Sequence, residues 1–96
     1  MKSEYQLLII DKIRRLRHEH DYSQLKLASL LGISAGQMGN IESPMRAHKY
    51  TLSQLSVVCE EFGMPIEKLF LDNTDSLAKE EIIRRLINSI IEYEKQ

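Results

Sequence analysis

The chain holds a single cysteine, Cys59, so an internal disulfide has no second thiol to close it. The disulfide-stapled scaffolds of small secreted domains are thereby excluded, and a reducing, cytoplasmic setting is expected. Cys59 lies inside a helical apolar pattern, which favours a buried thiol over a reactive one. No apolar run reaches the roughly 18 residues of a membrane span. The opening MKSEYQLLIIDK breaks its apolar stretch with acids, unlike a signal peptide. A Gly-rich phosphate loop, a metal-spaced cluster and a nucleophile with its base are all missing. His18 and His20 come nearest to a ligand pair, but residues two apart on a helix point about 200° apart. Neither has a thiol or carboxylate four residues away, so solvated polar side chains at a helix end are expected. No catalytic residue, metal or cofactor is assigned, and the chain reads as a non-enzyme.

Excess positive charge is also lacking, since 13 Lys and Arg meet 14 Asp and Glu for a net charge of −1. A nucleic-acid binder is normally basic, yet distribution matters more than the total. From Lys12 to Lys49 seven basic residues face three acids, whereas from Glu60 to Gln96 five face nine. One half is suited to phosphate and the other is turned away from it.

At 96 residues, 43% apolar and 28% charged, the composition fits one globular domain with a single core. Apolar residues recurring at three and four predict a first helix over about Ser3 to His20, with Tyr5, Leu8 or Ile9, Ile13 and Leu16 inward. Leu7 and Ile10 widen that stripe and call for a second covering surface. Ser23 and Ser34 stand as N-caps ahead of two short amphipathic runs, and Ser34 with Gln37 has capping-box spacing. Gly32 marks the sharp turn between them. Leu27, Ala28 and Leu31 face Ile33, Met38 and Ile41 across the pair. Residues 43–50 form a loop. Thr51 and Gln54 box a fourth helix that buries Leu52, Leu55, Val58, Cys59 and Phe62, with Tyr50 and Leu55 as a staple. Gly63 ends it, and Pro65 suits the first turn of a short fifth helix. After a polar break, Ser76 to about Tyr93 predicts a sixth, amphipathic helix. Its band of Ile82, Ile83, Leu86, Ile87, Ile90 and Ile91 must be buried, either across Leu7 and Ile10 or against a second copy.

The run Ser23-Gln24, Leu27-Ala28, Gly32-Ile33-Ser34 and Ile41-Glu42 resembles the helix-turn-helix of the lambda-repressor and Cro family of DNA-binding regulators, also called the xenobiotic-response-element family. The likeness spans about Ile13 to Leu71. It implies an all-α fold: a five-helix lambda-repressor-like DNA-binding domain over 1–71, with the motif at 23–42. Residues 72–96 add a C-terminal amphipathic helix for dimerisation or docking through Ile83, Leu86, Ile87, Ile90 and Ile91. It further implies that Arg17 and Glu42 form a bracing ion pair, and that helix 34–42 enters the major groove of double-stranded DNA as part of a homodimer.

On that resemblance Ala35, Gly36, Gln37 and Asn40 occupy base-contacting positions, and Gln24, Lys26, Arg46, His48 and Lys49 phosphate-contacting ones. Ala35 and Gly36 cannot hydrogen-bond through a side chain, which thins direct readout and leaves Asn40 as the main reader. Gln37 has a competing role in its capping box. Leu25 and Leu30, at positions usually polar in the family, keep a second reading open: a protein-interaction module, or the antitoxin of a toxin pair.

Overall fold

The computed structural model describes residues 1–95. Six helices follow one another with no strand among the described residues: α1 Glu4–Glu19, α2 Gln24–Leu31, α3 Ala35–Glu42, α4 Leu52–Glu61, α5 Ile66–Phe70 and α6 Lys79–Glu94. The fold is all-α, as expected. Each N-terminal signal operates as chemistry requires. The Ser23 hydroxyl accepts from the Lys26 amide, and full capping boxes close at Ser34 with Gln37 and at Thr51 with Gln54. Gly32 and Gly63 take left-handed φ of 69° and 66°, turning the chain where a Cβ would be strained.

Ile9 and Ile13 of α1, Leu27 and Ala28 of α2, Met38 of α3, Leu55 and Val58 of α4 and Leu69 of α5 are wholly buried together. Tyr50 and Tyr93 join them at 0% exposure. Tyr93 therefore brings the end of α6 into the common core. Its hydroxyl donates to the Tyr50 carbonyl at 2.9 Å, and its ring meets Phe70 edge-on at 5.9 Å. Gln6 of α1 reaches the same end, its amide donating to the carbonyls of Tyr93 and Lys95. The orphan carbonyls of α6 are thus capped by a distant side chain.

Several expectations are corrected. The sixth helix begins at Lys79, not Ser76, because the Asp75 and Leu77 amides bond back to the Asn73 side chain and the Thr74 carbonyl, holding a turn that competes with helix. On α1 Ile9 and Ile13 face inward with Tyr5 packed against the core as expected, Ile10 is buried too, and Leu8, the other choice beside Ile9, is 43% exposed. Leu52 is also partly exposed, at the first position of α4 beside the end of α6. Pro65 is the N-cap of α5 and precedes its first turn. Leu7 and Ile10 border a groove with Glu42 and Pro44. The apolar band of α6 splits, with Leu86 and Ile90 packed on the core of their own chain while Ile83, Ile87 and Ile91 face outward. The side that carries Tyr93 turns inward because its aromatic ring buries the larger surface.

Candidate nucleic-acid interface

Helix α3 is held at both ends and along its inner side. Met38 and Ile41 anchor it, and Glu42 is buried beneath it against Arg17. Arg17 donates from Nε and Nη2 to the two Glu42 oxygens, both at 2.9 Å, in a bidentate pair whose side chains are 7% and 5% exposed. A further Arg17 nitrogen donates to the Tyr22 carbonyl, and Gln24 Nε2 donates to Glu42 Oε1 at 2.8 Å. One buried carboxylate thereby ties α1, the start of α2 and the end of α3 together.

The outer side of α3 carries Ala35, Gly36 and Gln37, all exposed, with Gly39 and Asn40 half-buried. A Cβ at Gly39 would meet nothing within 4 Å, and one at Gly36 only the Ser34 hydroxyl at 3.8 Å. Packing within the chain therefore does not require glycine at either place, and each weakens the helix relative to alanine. The result is a nearly bare helical face with Asn40 as its polar side chain. Gln37 sits beside it but spends its Oε1 on the Ser34 amide, so only its Nε2 is free to donate outward.

The phosphate candidates divide. Arg46 and His48 are exposed on the loop after α3, and Arg46 makes no ion pair among the described residues. Lys26 lies 4.0 Å over the Tyr22 ring, a cation–π contact that holds it near the start of α2. Lys49 is turned inward, donating to the Glu94 carbonyl at 3.2 Å and approaching the Tyr93 ring. The Gln24 amide group is committed to Glu42. Much of the basic half is likewise engaged, since Lys12 pairs with Asp72, Arg14 and Arg15 with Asp11, and Arg17 with Glu42. The sequence count of cations therefore overstates what a phosphate backbone would meet.

Sequence reasoning missed the residues that support this face from behind. Ser3 and Gln6 have capping-box spacing, which was readable, and they start α1. The reach of Gln6 to α6 and of Lys2 to α3 spans the whole fold and leaves no local pattern. The hydroxyl of buried Tyr50 points at the Met38 sulfur at 3.5 Å, linking the α6 anchor to α3. Cys59 is buried, and desolvation, with the nearby Glu67 charge, pushes its thiol pKa up, the opposite of a reactive cysteine.

A family model described as the Cro/C1-type HTH DNA-binding domain matches residues 12–75. Comparison with the curated proteins and with the solved structures found no match. No helix among the described residues is long and apolar enough to cross a membrane.

Proposed function

From the premise that this chain belongs to the Cro/C1-type helix-turn-helix DNA-binding family, we propose that it is a sequence-specific, cytoplasmic transcriptional regulator that binds DNA as a homodimer. The observation that carries this reading is the outer face of α3, kept smooth by glycines that no internal contact demands. A face of that kind lets backbone approach base edges closely, and it leaves Asn40 to pair with adenine, aided by the free donor of Gln37. Ala35 supplies a methyl for a thymine methyl, and Gly36 supplies proximity. Arg46 and His48 contact phosphate from the loop. Lys26 does so from the start of α2, Gln24 does so on release from Glu42, and Lys49 does so on release from Glu94. Residues 72–96 provide the dimerisation or docking element.

An electrophoretic shift with DNA upstream of the chain's own gene, repeated across a salt series, tests the proposal. Specific binding with a salt-dependent affinity is expected; no shift on that DNA at low salt would sink it. A second reading, a module that holds a protein partner such as a toxin, is favoured by Leu25 and Leu30, exposed at 66% and 39%. It predicts partner binding that survives loss of Asn40.

A further inference from the structure

Lys2 lies outside the helix-turn-helix, yet it is only 8% exposed. Its ammonium donates to the carbonyls of Asn40 at 3.2 Å and Ile41 at 2.7 Å, and also to that of Ser43. Those are two of the last four carbonyls of α3 and that of its C-cap residue. Helix α2 ends in left-handed Gly32, whose turn uses its final carbonyls, but α3 ends in extended Ser43 with φ −78° and ψ 128°. The carbonyls at that end therefore lack a glycine cap. A lysine placed there meets the negative end of the helix dipole and has a proton for each of the oxygens.

We infer that Lys2 is a positioning residue for DNA binding, an ammonium clamp that fixes the last turn of α3 and the departure of the phosphate-contacting loop. The inference rests on the DNA-binding reading above. Lys2 is itself held from behind, since Ser3 and Gln6 form the capping box of α1 and Gln6 is bonded to the end of α6. One side chain thus sets Asn40, whose carbonyl it holds, relative to Arg46 and His48, which follow Ser43. Burial pushes the Lys2 pKa below the ordinary lysine range. Donation to three carbonyls compensates a charge that would otherwise be left alone in the fold.

The test compares the native chain with Lys2→Met and Lys2→Arg, on a duplex selected by the native chain from a randomised pool. Lys2→Met is expected to fold, to lose about tenfold in affinity, and in the free protein to exchange the Ile41, Glu42 and Ser43 amides faster. Lys2→Arg, with the charge but not the compact ammonium, is expected to recover only part of both. Leu69→Ala, a core change on α5, serves as a control for lost stability and should bind normally well below its melting temperature. Native affinity or native exchange in Lys2→Met overturns the inference, as does an equal loss in Leu69→Ala. If Lys2→Met fails to fold, native exchange and affinity in Lys2→Arg overturn it, and losses in both support it. If the native chain selects no duplex, the DNA-binding reading falls, and this inference with it.

Discussion

Asn40 and Gly39 are neighbours whose substitutions should both weaken DNA binding but differ in their effect on stability. Asn40→Ala removes the polar group of the outer face without touching the core, and should cost about 1–3 kcal/mol at one or two base pairs while leaving folding intact. Equal losses on the preferred and on random DNA would count against a reading role. Gly39→Ala should instead raise stability by about 0.5–1 kcal/mol, because the new Cβ meets nothing inside the chain. The same change should weaken DNA binding, and a variant both more stable and equally tight would show that close approach is not needed. Tyr50 and Tyr93 supply a pH dependence. Burial, the main cause for both, pushes each phenol above the ordinary tyrosine range. A raised folded-state pKa gives stability that is whole below the unfolded value of about 10 and is lost as pH climbs towards the folded value. Tyr93→Phe should lower stability at neutral pH by about 0.5–1.5 kcal/mol through the lost bond to Tyr50. Above pH 10 its stability should fall less steeply than that of the native chain, by up to about 1.4 kcal/mol per pH unit, measured by urea unfolding at several pH values. Residues of this scale were legible in the sequence only where local spacing governs them. Ser34 with Gln37 and Gly32 could be read from the chain, but the partners of Tyr93 and Lys49 lie more than forty positions away.

Between elements the strongest polar tie is Arg17 to Glu42, supported by Gln24. Removing one member leaves a buried charge without its partner, so Glu42→Ala should destabilise by about 3–5 kcal/mol. Replacing both, as Arg17→Met with Glu42→Leu, should recover much of that, since apolar packing of similar volume often matches a buried pair. Thermal unfolding of the single and double variants decides the matter, and additive losses would mean the pair is not coupled. The pair could be placed from the sequence only through the family resemblance, because nothing in the spacing of residues 17 and 42 brings them together. Helix α6 taught the reverse. Its four-residue apolar repeat was plain, but a repeat does not tell which side packs at home. Tyr93 decides that by filling the space beside Tyr50 and Phe70, which turns Leu86 and Ile90 inward and Ile83, Ile87 and Ile91 out.

At the scale of the whole molecule, the proposed homodimer would use that outward side. Ile83, Ile87 and Ile91 are about half exposed and spaced four apart, a stripe along α6. Glu94, one turn beyond Ile91, lines a groove with Leu52, itself 36% exposed, at the start of α4. Three half-exposed isoleucines alone fall short of the roughly 800 Å² that each partner of a standard interface buries. A stable pair of copies would therefore have to bury more than this stripe. A homodimer would present two α3 helices to half-sites about one helical turn apart on DNA, and coupling them multiplies affinity without any new base contact. Ile87→Glu places a charge at the middle of the stripe and should leave the monomer folded, because that side chain already faces water. Sedimentation at several concentrations should then give a dimer for the native chain and a monomer for the variant, with weaker binding to a two-half-site duplex. Leu86→Glu, one residue away but packed on the core, should instead unfold the chain. A native chain that stays monomeric at every concentration, or an Ile87→Glu variant that still dimerises, would remove α6 as the interface.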